Sequence, residues 1–384
     1  MQINLFDPSE IRVSLLPFTY TRPVAEIRVG ILKISEKWQH YGFQTGFITE
    51  NYLSAKYGSI DSTLKVNGAL CPTEALAEAI KQLKPGEQLK AGELLLAAYE
   101  GATHTVSFEG AVTLVENPWD IFALNKSQIE ADFPLVTQGR TSQKITDPHT
   151  VVYGQENVFV EEGASIRAAI INAESGPVYI GKNAQVHEGS MIKGAFALCE
   201  GSHVNMGAKI KGDTTIGPYS KVGGEVSNSV IFGFSNKGHD GFLGNSVIGE
   251  WCNLGADTNT SNLKNNYAPV KLWNYAKGSF ANTGLQFCGL MMGDHAKCGI
   301  NTMFNTGTVV GVGANIFGSG FPRNFVPSFS WGGASGFITF QLRKFYEVAT
   351  AVMKRRSLEF DDQEKAIIDA VFEASKGYRI WDKK

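Results

Sequence analysis

No Cys-x-x-Cys pair occurs among the five cysteines, Cys71, Cys199, Cys252, Cys288 and Cys298. An odd count without paired spacing argues against a disulfide framework and against a structural zinc site. It predicts buried free thiols in a reducing compartment and no bound metal. Charge of either sign is also not in excess. The formal net charge is −2 over 384 residues, which argues against a nucleic-acid partner, since such partners leave a basic surplus. A small anionic substrate needs only a local basic pocket and stays open. No apolar run reaches the length of a bilayer span, and the opening "MQINLFDPSE" lacks the basic-then-apolar layout of a signal peptide. The expectation is a cytoplasmic protein without a membrane partner.

What is abundant is glycine, at 42 residues, concentrated in the middle and late chain. Residues 1–145 read as an α/β domain. "INLF", "QTGFIT" and "ELLLAAY" have strand character. "AEIRVGILKISEKWQHY" places Ile27, Ile31, Ile34 and Trp38 at helical spacing. "TEALAEAIKQL" is a helix capped by Thr73 and closed by Pro85-Gly86, and "WDIFALNKSQIEADF" is another. Alternation of this kind predicts a largely parallel sheet.

Residues 146–326 follow a different rule. Ile180, Val186, Ile192, Leu198, Val204, Ile210, Ile216 and Val222 recur every six positions. A second register reads Val230, Asn236, Phe242, Ile248, Leu254 and Thr260, and a third reads Met292, Cys298, Phe304, Val310 and Ile316. A six-residue period fits neither an α-helix nor an amphipathic strand. It fits a β-solenoid in which each hexad is one short strand and one turn, and three hexads close a triangular coil. The inserted stretch 261–286 is polar, aromatic and basic, and loops of that length on a compact scaffold are usually functional. Residues 327–384 lose the period and read as two helices, expected to cover the open end of the solenoid. One runs through Ile338, Leu342, Phe345, Val348 and Val352. The other starts at an Asp361/Glu364 capping pattern and ends at Gly377. Lys354, Arg355 and Arg356 read as favourable charge at a helix C-terminus.

The hexads, with "GHDGFLG", "IGEWCNLGADTNTSNLKNNY" and "MMGDHAKCGINTMF", resemble the left-handed β-helix acetyltransferase domain of the bifunctional N-acetylglucosamine-1-phosphate uridyltransferase/glucosamine-1-phosphate N-acetyltransferase family. "LLPFTYTRPVAEIRVGILKISEKW" looks like the variant sugar nucleotidyltransferase domain of a Bacteroidetes-type branch. The resemblance implies a homotrimer, with acetyl-CoA and an amino-sugar phosphate as substrates and His239 as the general base. It implies sugar or acetyl contacts from Asn253 and Asn262. Phe242 stands where the better-known branch has a tyrosine on the sugar phosphate, and Ser227 where it has a phosphate-binding lysine. Lys237, Lys264 or Lys271 would then replace the missing charge. Ile300 and Gly318 fall where the family makes main-chain contacts with the cofactor, and Arg323 is a candidate for its phosphates.

The N-terminal half departs further. "FDPSEIRVSLLPFTYTRP" has no glycine where the usual nucleotidyltransferase carries a glycine-rich phosphate loop. Arg12 and Arg22 would be the nucleotide contacts, with UTP and Mg²⁺ as reactants if that domain is active. The alternative function is a sugar-1-phosphate nucleotidyltransferase whose β-helix serves only oligomerisation or regulation. Acyl transfer to an amine needs a base near neutrality, which an imidazole supplies. Spacing alone does not identify the group that orients His239.

Overall fold

A computed structural model describes residues 1–382. They form two compact units, Met1–Arg28 with Leu32–Pro118, and Val29–Ile31 with the chain from Trp119 onward.

The first unit is built on a six-stranded sheet ordered Gln44–Ile48, Gln2–Phe6, Leu64–Asn67, Leu94–Tyr99, Glu87–Ala91 and His104–Ser107. Three of the five pairings in this sheet are parallel, as the expectation of a largely parallel sheet has it. The two pairings that involve Leu94–Tyr99 are antiparallel. The reason is local: Gly92, at φ +57°, turns Glu87–Ala91 straight into Leu94–Tyr99 as a hairpin. The helix Glu74–Gln82 is capped as expected, with Thr73 accepting from the amide of Leu76. The helical spacing around Ile27 does not become one helix. Only Ile34–His40 is α-helical, because Gly30 sits at φ +84° and the Gly30 and Ile31 amides donate to Asn125 and Asp132 side chains.

From Val151 the chain winds as a left-handed parallel β-helix with three faces. The first face stacks nine strands from Val158–Val160 to Phe325–Val326. The second runs from Ser165–Ile166 to Gly336–Thr339, and the third from Val151–Tyr153 to Phe242–Gly244. Stacked coils lie roughly 4.8 Å apart. One residue of each short strand points into the prism, and together these residues form the core: Ile180, Leu198 and Ile216 on one face, Val186, Val204 and Val222 on the next, Ile192 and Ile210 on the third.

Beyond Val222 the inward positions differ from the six-residue count. Val226 stacks on Ile210, Ile231 on Ile216, Lys237 on Val222, Leu243 on Val226 and Ile248 on Ile231. Asn236 and Phe242, expected as wall positions, face outward. The cause is corner length. Gly223-Gly224 makes the turn between the second and third faces in two fewer residues, with Gly224 at φ +69°. The turns after Val226 and Leu243 are each one residue shorter, through Asn228 and Asn245 at φ +46° and +48°. Asn tolerates that region, so the hexad count breaks while the stacking does not.

The insertion folds as a hairpin, Lys271–Asn274 against Ser279–Asn282. Trp273 of this hairpin stacks on Phe325, with ring centroids 4.2 Å apart. The chain after residue 327 adds a hairpin edge, Gly336–Thr339, to the second face before the first helix begins at Leu342, so Ile338 lies in a strand. That edge strand covers the end of the second face. The helices Leu342–Lys354 and Asp362–Ala374 pack through Phe345 and Phe372 against the corner residues His295 and Phe329. Asp361 caps the second helix, accepting from the Glu364 amide at 2.9 Å.

The register makes opposite demands on neighbouring residues. Leu243→Ala should cost about 2–5 kcal/mol by opening a cavity in the prism. Phe242→Ala should cost less than about 1 kcal/mol. Urea unfolding of both variants checks this, and equal losses would contradict the outward placement of Phe242.

Candidate active site

His239 lies on the corner between the second and third faces, just past the strand Asn236–Lys237. Two side chains pin the peptides beside it. Asn205, two coils further back, donates from Nδ2 to the Gly238 carbonyl at 2.7 Å. Lys237 donates from Nζ to the His239 carbonyl at 2.5 Å. Gly241 closes the corner at φ +111°, and a Cβ there would come within 2.1 Å of the Thr258 carbonyl oxygen, so only glycine fits. The backbone is thus held from both sides, while the imidazole is exposed and has no hydrogen-bond partner among the described residues. Asp240 makes no bond to it.

The imidazole borders a cleft of about 1090 Å³. One wall is the outward column of the second face. Lys221, Asn236, Asn253 and Lys297 stack there in successive coils. A second wall is aromatic: Phe234 and Trp251 stack at 4.3 Å, both in left-handed backbone at φ +54° and +61°. Such φ values are rare for bulky residues and persist where the surroundings over-determine them. Val352, Arg355 and Arg356, at the end of helix Leu342–Lys354, complete the lining. Asn236 Oδ1 is buried with no partner among the described residues, an acceptor left for a ligand to satisfy.

Lys237 was expected to meet substrate; instead it points into the prism, 3% exposed, between Val222 and the coil of Leu254. Burial pulls its ammonium down to about 8, against the opposing pull of Asp240 and Asp257. Lys297 is likewise pulled down to about 8 by burial, and it donates to the His295 carbonyl at 2.9 Å.

Of the other expected site residues, Asn253 and Ile300 line the cleft. Asn262, Phe242, Lys264, Lys271 and Gly318 do not. Asn262 donates to the Asn245 side chain at 2.9 Å on the third-face side, and Lys264 to the Pro269 carbonyl at 3.0 Å. Lys271 is exposed in the inserted hairpin, and Gly318 lies at φ +98° with open space around it. Arg323 lines a separate cavity of about 670 Å³ with Trp273, Tyr378 and Trp381. In the first unit Arg22 is buried, and Arg12 is bonded to Tyr52 and the Thr19 carbonyl beside Asp7 and Glu50. Burial raises the Asp7 carboxyl above its ordinary range. Among the described residues no cluster of His, Cys, Asp or Glu is arranged to hold a metal ion.

Sequence reading missed Asn205, Lys221, Lys297, Arg355 and Arg356. The usable signal was the residue just before each inward position on the second face. Corrected for the short corners, that rule marks Lys221, Asn236, Asn253 and Lys297.

Lys237 and Lys297 have a stability consequence. Their folded-state values lie below the ordinary 10.5. Between about pH 8 and 10.5 the unfolded chain therefore holds more protons, and stability rises with pH across that window. Lys237→Met should raise stability near pH 7 and flatten part of the rise. Urea unfolding on either side of about pH 9 tests this; a slope identical to wild type would exclude the buried cation as its source.

Comparison with known proteins bears on both halves. Residues 3–141 match the family model described as sugar nucleotidyl transferase. A bifunctional sugar-1-phosphate nucleotidylyltransferase/acetyltransferase of Sulfurisphaera tokodaii is 26% identical over 58% of this chain and 49% of its own length. The bifunctional protein GlmU of Methanococcus vannielii is 26% identical over 75% of this chain and 55% of its own length. The chain thus spans about half the length of the curated relatives it matches. Among solved structures, the polySia-specific acetyltransferase NeuO aligns with 50% of this chain and 82% of its own at 15% identity and a TM-score of 0.27. The Arabidopsis UDP-N-acetylglucosamine acyltransferase aligns with 61% of this chain and 95% of its own at 17% identity and a TM-score of 0.26. A sugar nucleotidyltransferase-type domain followed by a parallel solenoid of hexapeptide coils fits a GlmU-like nucleotidyltransferase/acetyltransferase architecture.

Proposed function

We propose that this chain is an acetyl-CoA-dependent N-acetyltransferase acting on an amino-sugar phosphate, with glucosamine-1-phosphate as the leading candidate. The observation that carries the reading is the corner at His239: a solvent-facing imidazole on a backbone pinned by Asn205 and Lys237, beside a cleft lined by polar and cationic groups. His239 takes the proton from the sugar amine as its nitrogen attacks the thioester carbonyl. The C–S bond breaks, the amide forms, and CoA leaves as the thiolate, which is then protonated. Asn236 and Asn253 face the space where the sugar hydroxyls or acetyl oxygen would lie. Lys237 is a positioning residue here, since it touches the His239 carbonyl and not the cleft.

The first unit supports a nucleotidyltransferase role less well. A phosphate cradle is made from backbone amides of a glycine-rich loop. Here strand Gln2–Phe6 leads through Asp7-Pro8 into helix Ser9–Ser14, and the Asp7 carboxyl accepts from Val24 N and Thr49 Oγ1. Arg12 is already engaged by side chains and a carbonyl of its own unit. These residues do not fit a site for UTP phosphates and Mg²⁺.

We further propose a cytoplasmic homotrimer. Val151, Tyr153, Ile170 and Met191 are exposed at the third face, an apolar strip that a neighbouring prism would cover. Sedimentation equilibrium should return about three chain masses, and a concentration-independent monomer would rule the trimer out.

Given glucosamine-1-phosphate and acetyl-CoA, the purified chain should release CoA thiol. His239→Ala should lower that rate by about 10²–10⁴-fold with an unchanged melting temperature. A rate equal to wild type would remove His239 as the base. Pyrophosphate release with UTP and Mg²⁺ at a comparable rate would favour the nucleotidyltransferase reading.

A further inference from the structure

Four cations share the cleft wall: Lys221, Lys297, Arg355 and Arg356. No Asp or Glu lines it. Several other cations of the same unit are paired with carboxylates. On the same helix Arg343 and Lys344 both lie within ion-pair range of Glu347, and nearby Lys211 pairs with Glu225, Lys365 with Asp362 and Arg379 with Asp382. The four cleft cations have no ion pair among the described residues.

Their convergence is built by two long elements. Helix Leu342–Lys354 starts beside the late coils, where Phe345 meets His295 at 5.2 Å between ring centroids. The eleven positions from Phe345 to Arg356 cover about 16 Å at helical rise. The descent from the coil of Lys297 to that of Lys221 is three coil spacings, roughly 14 Å. Arg356 is therefore delivered to the Lys221 end of the column. There it also lies within electrostatic range of His203, whose imidazole is pushed down by burial first and then by Lys221, His187 and Arg356. Arg356 is itself pulled down by burial and by Arg355. The groups that act on His203 and Arg356 here, Lys221, His187 and Arg355, are cationic or titrate to cations, so a bound anion relieves their mutual repulsion.

We infer that Lys221, Arg355 and Arg356 form a binding site for a phosphate group, with Asn236 and Asn253 receiving the uncharged polar body of the same ligand on the way to His239. Arginine forks match phosphate oxygens in pairs, and lysine adds a point charge. The anion site stands on its own geometry; its service to His239 rests on the acetyltransferase reading. Both a sugar phosphate and the 3′-phosphate of CoA carry this chemistry.

Calorimetry on the full chain separates these sources and needs no turnover. The probes are inorganic pyrophosphate, glucosamine-1-phosphate beside glucosamine, and CoA beside dephospho-CoA. Wild type should bind at least one phosphate-bearing probe, more weakly at high salt. Arg356→Gln and Lys221→Gln should each weaken that probe by about tenfold or more and leave its counterpart lacking that phosphate, glucosamine or dephospho-CoA, unchanged. Loss confined to glucosamine-1-phosphate assigns the sugar phosphate, and loss confined to CoA assigns the cofactor. If pyrophosphate binding falls in the variants but no acetyl transfer occurs, the anion site stands and the acetyltransferase reading fails. If no phosphate-bearing probe binds wild type, or if both variants bind like wild type, the anion site is overturned. Both substitutions sit at the cleft surface, and unchanged melting temperatures exclude misfolding as the cause.

Discussion

The fixed spacing between stacked coils governs everything in the second unit. Backbone pairing holds each strand to the one beneath it, so a residue's neighbours are set by register and not by sequence distance. Lys221 and Lys297 are far apart in the chain, yet only Asn236 and Asn253 separate them in one column. The insertion between Thr260 and Leu290 can grow a hairpin without disturbing that column, because the next coil re-enters on the same register. The cleft is a by-product of this rule, with polar residues outward on consecutive strands and a long helix along their flank.

The corner at His239 shows a second use of the same rule. A lysine inside an apolar prism is costly to desolvate, and here the ammonium finds one carbonyl, that of His239. The cost is borne where it fixes a backbone that carries a solvent-facing imidazole. A coil two layers back supplies the matching restraint through Asn205. Rigid scaffolding and an exposed functional group thus meet within one turn of chain, without any bond to the imidazole itself.

Much of this was legible in the sequence. The hexads announce the solenoid, because neither a helix nor a flat sheet places an apolar residue inward at every sixth position, and the early inward positions from Ile180 to Val222 are those of the structure. Thr73 and Asp361 are legible as caps because capping is local chemistry. The register after Val222 was not legible. Three shortened corners left the apolar positions ambiguous, and Val230 is as apolar as Ile231. That ambiguity hid the inward turn of Lys237 and the outward column with it. Arg355 and Arg356 were hidden for another reason. A basic pair at a helix end satisfies the helix dipole anyway, and only packing reveals which surface the pair reaches. The antiparallel strand Leu94–Tyr99 of the first unit was not legible because a glycine hairpin between two strands looks, in sequence, like any other turn.

The helix that carries Arg356 lies alongside the coils and has a pitch of its own. One helical turn rises about 5.4 Å and one coil about 4.8 Å. The two elements therefore act as a pair of rulers with nearly equal divisions. A chain of this design could gain or lose a whole coil between Lys221 and His295 only if the helix gained or lost about one turn with it. Any descendant that changed one length alone would keep its prism, its core and its histidine corner, and would set its arginines against the wrong rung. Coil number and helix length are thus expected to change together, a coupling imposed by geometry on two segments that share no sequence.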